Sequence, residues 1–239
     1  MTSIYTIDVK KSLKEQIAEK KIESNKKRIE SCKKNGKQKK LDGHQREKDF
    51  LVKYNSDDAD KPIEYGPTSD TSICSTHPIC SILKETINPS NLFVSNKSGK
   101  NIQVVLGKIP ELNQVSVDSL NSDKEIVRRI FNKYLKKSES VKPAGILVYK
   151  DTENNSWIFF NMDDVVNYIV EKCSWRMLIS GRIKGDFADN SKKGFRQYIT
   201  YEYRSTHSSH LLGMNCGKGL EFIKLLMCPC TGIKYYKDV

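Results

Sequence analysis

Asp70 stands just before a short β-type run, and Lys97 ends another. The first lies in Gly66-Pro-Thr-Ser-Asp-Thr-Ser-Ile73, the second in Leu92-Phe-Val-Ser-Asn-Lys-Ser-Gly99. Hydrolysis of a phosphodiester needs a divalent metal held by carboxylates, a water that loses its proton beside it, and positive charge against the forming phosphorane. A carboxylate and an amine, each at a strand end, are the least apparatus for that chemistry. Glu47, upstream of both, can approach the same metal from the other side.

The elements that must position these groups are legible in outline. Residues 8–40 are lysine-rich, with thirteen Lys and Arg against four Glu between Lys10 and Lys40. Ile7, Leu13, Ile17, Ile22 and Ile29 form a sparse apolar stripe, and Glu23 precedes Lys27 by four, which supports an exposed helix. Asn35-Gly36 predicts its C-terminal stop. A second, short helix is expected over residues 43–55, with Phe50, Leu51 and Tyr54 inward and Glu47 on a different side. A helix over 78–88 precedes strands at 92–97 and 101–106, with Ser98-Gly99 as the bend between them.

Further on, a helix is expected over 122–137, capped by Ser122, with Ile126, Ile130, Phe131 and Leu135 inward. Residues 144–150 and 157–160 read as a hairpin turning at Asp151 to Ser156. Met162 to Trp175 reads as a helix, 177–183 as a strand, 184–194 as a loop, 195–204 as an alternating strand, 213–219 as a glycine-containing loop and 220–227 as a short helix. The fold class that follows is mixed α/β (α+β), a central mixed sheet flanked by helices, with a basic N-terminal helical arm over residues 1–40 and a mixed α/β domain over 41–239.

The chain has 239 residues and a net charge of +12, a balance that attracts polyanions, nucleic acid foremost. No apolar run approaches the ~18 residues that span a bilayer. The first residues do not pair a basic segment with an apolar core, so no signal peptide is expected and the chain is read as cytoplasmic. Seven cysteines at irregular spacing are then expected as reduced thiols. Cys74, His77, Cys80 and the Cys228-Pro-Cys230 pair are candidate zinc ligands without a full paired-ligand motif.

Other constellations compete. Asp186 precedes Glu202-Tyr-Arg204 at a separation that suits an acid, a second acid and a base. The base there is arginine, which stays protonated and cannot take a proton from water. Arg182, Lys184, Arg196 and Arg204, interleaved with tyrosines, suit phosphate and base contacts instead. Lys100 and Gln103 are further DNA-contact candidates. His207 and His210, with Glu202, form an alternative metal-independent set. Gly213 to Gly219 lacks the hydroxyl residue of a phosphate loop.

The segments 68–73 and 94–99 resemble the core of the PD-(D/E)XK nucleases, particularly type II restriction endonucleases. The resemblance covers residues 43–112. It implies that Asp70 and Glu47 bind magnesium and that Lys97 acts on the attacking water. Where the family carries an acid two residues before the lysine, this chain has Ser95, so Glu47 must supply the missing carboxylate or the metal is held weakly. The implied function is sequence-specific, Mg2+-dependent cleavage of double-stranded DNA, by a homodimer because such sites are usually palindromic. A non-catalytic basic nucleic-acid-binding protein is the rival expectation.

Overall fold

The computed structural model describes residues 13–58, 71–98, 101–107, 116–177, 183–188, 195–204, 209–215 and 221–239. The chain divides into two units, Met1–Arg46 and Glu47–Val239. The first contributes most of helix α1 (Leu13–Tyr54). Its side chains from Ile22 to Lys34 are all exposed, Ile22 and Ile29 included, as in a helix with no apolar stripe wide enough to bury.

The second unit holds two five-stranded sheets. One has the order β1-β2-β4-β5-β10, the other β3-β9-β8-β7-β6. The strands of the first are β1 (Thr71–Ser72), β2 (Phe93–Ser98), β4 (Ile146–Asp151), β5 (Ser156–Asn161) and β10 (Tyr235–Asp238). β2 and β4 run parallel, and the other neighbours are antiparallel. The second sheet is antiparallel throughout: β3 (Asn101–Gly107), β6 (Cys173–Met177), β7 (Ile183–Ala188), β8 (Phe195–Arg204) and β9 (Ser209–Asn215).

Every residue of β5 is buried, and so is β4 apart from Lys150, because the first sheet is covered on both faces. On one face Phe50 and Tyr54, from the last turns of α1, pack with Leu83 of α2 (Ile79–Thr86) against Val94, Ile146, Val148 and Phe159. On the other, Leu147, Tyr149 and Phe160 meet α4 (Lys124–Tyr134) and α5 (Met162–Lys172), together with Trp175 and Phe187 from the second sheet. The helix faces follow the 3.6-residue period: Val127, Ile130 and Phe131 on α4, and Met162, Val165, Val166, Ile169 and Val170 on α5. Each buried large apolar side chain contributes roughly 1.5–3 kcal/mol. The central mixed sheet flanked by helices is thus as the sequence leads one to expect. Among the described residues no helix is long and apolar enough to cross a membrane.

Several boundaries differ from the reading above. α1 runs unbroken through Asn35-Gly36 and absorbs the separate helix expected over 43–55. A mid-helix glycine costs only about 1 kcal/mol, and Lys33, Lys34, Lys37, Gln38, Lys39 and Lys40 around it favour helix. The helix expected over 122–137 is α4, and its cap is Asp123 rather than Ser122, with Asp123 Oδ1 accepting from Glu125 N at 2.9 Å; Ser122 instead ends a separate α3 (Val117–Ser122). α5 stops at Lys172 rather than Trp175. Trp175 is pinned in β6 by Asn121, whose side chain accepts from Trp175 N and donates to Trp175 O, each at 2.8 Å. Of the strand expected over 177–183, Met177 ends β6 and Ile183 begins β7, residues 178–182 lying outside the described residues, and residues 184–188 of the expected loop are β7. Residues 213–215 belong to β9, not a loop, and the chain from Glu221 to Leu226 is helix α6. β10 had no counterpart in the sequence reading.

Candidate functional site

β1 and β2 carry the two halves of the candidate nuclease centre. Thr71 is opposite Val94 and Ser72 opposite Phe93. The residue before Thr71 is Asp70, which lies outside the described residues, and the residue after Val94 is Ser95. β2 then continues through Asn96 and Lys97 alongside β4, with Ser95 beside Leu147 and Lys97 beside Tyr149.

Strand alternation sorts these positions. Val94 turns to the face that Phe50 and Tyr54 cover. Ser95 and Lys97 alternate to the face of their row partners Leu147 and Tyr149, which belong to the other core. Ser95 is buried at 2% exposure, while Lys97 is half-buried and its Nζ donates to the Asn96 carbonyl at 3.1 Å. Glu47 is half-buried too. It shares the helical stripe of Phe50, Leu51 and Tyr54, at spacings of three, four and seven, rather than lying on a different side. Glu47 and Lys97 therefore start from opposite faces of this sheet.

The DNA-contact candidates fall elsewhere. Lys100 and Arg182 lie outside the described residues. Gln103, Lys184, Arg196 and Arg204 are all in the second sheet. Arg176, Lys184, Thr200, Gly213 and Gln103 form one continuous cross-strand row. Arg196 pairs with Phe187 and Arg204 with Ser209, in other rows.

The second acidic constellation is not assembled. Asp186 pairs with Gln197, five positions along β8 from Glu202, a separation of about 16 Å at ~3.3 Å per residue. Asp186 is instead a buried partner of Arg176, whose Nε donates to its Oδ2. Its Oδ1 is buried without a hydrogen-bond partner among the described residues. Of the alternative set, His207 lies outside the described residues. Glu202 pairs with Leu211 and His210 with Tyr203, so positions 202 and 210 occupy adjacent rows, which alternate faces.

The cysteine clusters serve local structure. His77 Nδ1 accepts from Ile79 N at 3.1 Å at the entry to α2, and Cys80 Sγ donates to Cys74 O at 3.1 Å. Burial pushes the Cys80 thiol up. Among the described residues no three His, Cys, Asp or Glu side chains converge on a common metal position. Cys228 and Cys230 are joined as a disulfide, in contrast to the reduced thiols expected.

One feature escaped the sequence reading. A cleft of about 440 Å³ opens between α5 and the 231–234 segment, lined by Asn161, Asp164, Asn167 and Tyr168 on one side and Thr231 and Lys234 on the other. Burial, then the neighbouring Asp163, raises the Asp164 carboxyl above its ordinary range, against the pull of Lys234. It contains none of the residues singled out from the sequence. The only available signal was the polar run Asp163, Asp164 and Asn167 on an otherwise inward-facing helix.

No family model matches the chain, and no curated protein or solved structure matches it either. What the geometry offers is a half-buried carboxylate on an anchored helix, a lysine on the strand beside β1, and a basic helix and strand rows elsewhere.

Proposed function

We propose that the chain is a magnesium-dependent endonuclease cutting duplex DNA at specific sites, of the PD-(D/E)XK kind and homodimeric. The observation that carries this reading is the antiparallel pairing of Thr71 with Val94. It makes hydrogen-bonded neighbours of the two strands that bear the resembling motifs, one following Asp70 and the other leading to Lys97.

The proposed metal ligands are Asp70 and Glu47, whose hard oxygen donors suit magnesium. Phe50 and Tyr54, one and two turns on, are fully buried and hold that part of α1 in place, and because Glu47 starts from the face opposite Lys97 it would have to reach the metal around the β1 edge of the sheet. Magnesium held there would act as a Lewis acid on the phosphate and make its bound water easier to deprotonate. Lys97 steers that water and offsets charge on the phosphate. Ser95, in place of the family's acid, contributes a hydroxyl rather than a charge, so the load on Glu47 is greater. Lys100, Gln103, Arg182, Lys184, Arg196 and Arg204 are proposed to hold the duplex, and the cytoplasm is the proposed compartment.

The test is incubation of the purified chain with plasmid and magnesium, beside Asp70→Ala, Glu47→Ala and Lys97→Ala. Cleavage by the unmodified protein, lost in the Asp70 and Lys97 variants and on chelation, is the expected result. Full cleavage by both of those variants overturns the assignment.

The exposed basic face of α1 favours a second reading, a nucleic-acid-binding protein without catalysis. That reading expects salt-sensitive binding, indifferent to magnesium, and no cleavage under any condition.

A further inference from the structure

The Cys228-Pro229-Cys230 turn carries a disulfide that the surrounding fold does not need. The two Cα atoms are 5.2 Å apart, inside the range a disulfide spans. The bond closes a ring with a single residue between its ends, so it restricts the unfolded chain very little. The turn is held without it: Thr231 N donates to Cys228 O at 3.0 Å, Gly232 N to Pro229 O at 3.2 Å, and Thr231 Oγ1 to Cys228 O at 2.8 Å. Gly232, at φ 70°, then takes the left-handed exit that glycine allows.

Its setting favours exchange. Cys230 is exposed and Cys228 half-buried, so an incoming thiolate reaches the Cys230 sulfur first. Cys230 N points at Cys228 Sγ, 3.4 Å away, and Pro229 has no N–H to compete. That amide stabilises the thiolate that leaves from Cys228, and a better leaving thiolate speeds exchange. The contrast is with Cys80, which is buried and hydrogen-bonded to a backbone carbonyl, and with Cys173, whose thiol burial and then Asp186 hold well above the ordinary range.

We propose that Cys228 and Cys230 form a thiol–disulfide exchange site whose co-substrate is a dithiol. One thiolate of the dithiol attacks Cys230 Sγ, the Cys228–Cys230 bond breaks, and Cys228 leaves as a thiolate that takes a proton. The dithiol's second thiolate then attacks its own sulfur in the mixed disulfide and releases Cys230. Two electrons pass to the protein, which ends with two thiols, and the dithiol ends as a disulfide.

The experiment uses the full chain, folded and prepared without reductant. It is treated briefly with dithiothreitol or left untreated, alkylated with N-ethylmaleimide while still folded, and mapped by peptide mass. The expected result is no adduct on the Cys228–Cys230 peptide before reduction and two after, with Cys80 unlabelled in both. A Cys230→Ser chain should label once at Cys228 without any reductant. Circular dichroism of a Cys228→Ser, Cys230→Ser chain should match the parent. Two adducts on the untreated peptide, even after exposure to glutathione disulfide, overturn the proposal. So does a bond that resists dithiothreitol until the protein unfolds.

Discussion

The Tyr54 hydroxyl donates to the Asp238 carboxylate, tying the last turn of α1 to the last strand of the first sheet. Lys53 Nζ reaches the same carboxylate at 3.0 Å. Tyr54 is 1% exposed, and its ring meets Trp157 and Phe159 edge-on. One side chain thus links α1, β5 and the edge strand β10.

Tyr54→Phe removes the hydroxyl and leaves Asp238 its lysine, so the loss should be about 1–2 kcal/mol in a urea titration. The pH dependence has a definite sign. Burial, then the hydrogen bond to Asp238, pushes the Tyr54 hydroxyl well above its ordinary value. Its stabilising contribution is complete below the unfolded tyrosine value of about 10 and is lost as pH rises beyond it. The phenylalanine variant should therefore lose less stability than the parent between neutral and strongly alkaline pH.

Gly145→Ala should be costly although the backbone there has no unusual φ. An added Cβ would meet Asn91 O at 2.4 Å and Asn91 N at 2.7 Å. Neither can yield, since Gly145 N bonds Phe93 O at 2.9 Å and Gly145 O accepts from Met162 N at 3.0 Å. A loss of about 1–3 kcal/mol or more is expected by thermal unfolding.

Asp151 closes the β4–β5 hairpin. Burial alone would raise its carboxyl, but the Asn154 side chain and the backbone N–H groups of Asn154 and Glu153 hold it below the ordinary range. Its contribution is present above the unfolded value of about 3.9 and fades as pH falls through the lower folded value. Asp151→Ala should cost roughly 1–3 kcal/mol at neutral pH. The difference from the parent should shrink in acid, as denaturant titrations at two pH values would show.

Asp164 behaves in the opposite sense. Its raised carboxyl makes ionisation unfavourable to the fold. Asp164→Asn should hold or raise stability at neutral pH, and the advantage should vanish below the unfolded aspartate range. Melting temperatures at pH 7 and in acid check this.

Lys97→Arg separates charge from positioning under the proposed function. Guanidinium keeps the positive charge but replaces a compact ammonium with a planar fork that cannot steer the same water. Plasmid cleavage should fall about 100-fold or more while filter binding to the same DNA stays within a few-fold.

How much was legible follows from particular residues. The β4–β5 hairpin was clear because Ile146 to Tyr149 and Trp157 to Phe160 are apolar runs around a polar turn, and turn chemistry is local. β6 was hidden because Cys173 continues the spacing of Ile169 and Val170, and no glycine or proline interrupts it. What ends α5 is tertiary, the grip of Asn121 on Trp175. β10 was hidden because Tyr-Tyr-Lys-Asp is too short to carry a pattern. At the candidate site, the strand holding Ser95 and Lys97 was readable. The burial of Ser95 was not, since a lone hydroxyl leaves no trace in hydrophobic periodicity. Nor was the shared stripe of Glu47 and Phe50 drawn from its spacing, although three, four and seven residues announce one helical face.

The late pairing of β10 with β5 has a consequence for biogenesis. β5 leaves the ribosome well before Tyr235 to Asp238 are made, and until then its outer backbone amides and carbonyls have no strand beside them. That ribbon, rich in Trp and Phe, is the place where a nascent copy would stick to another copy or call for a chaperone. The protein's yield in a cell should depend on how soon Tyr235 to Asp238 follow β5.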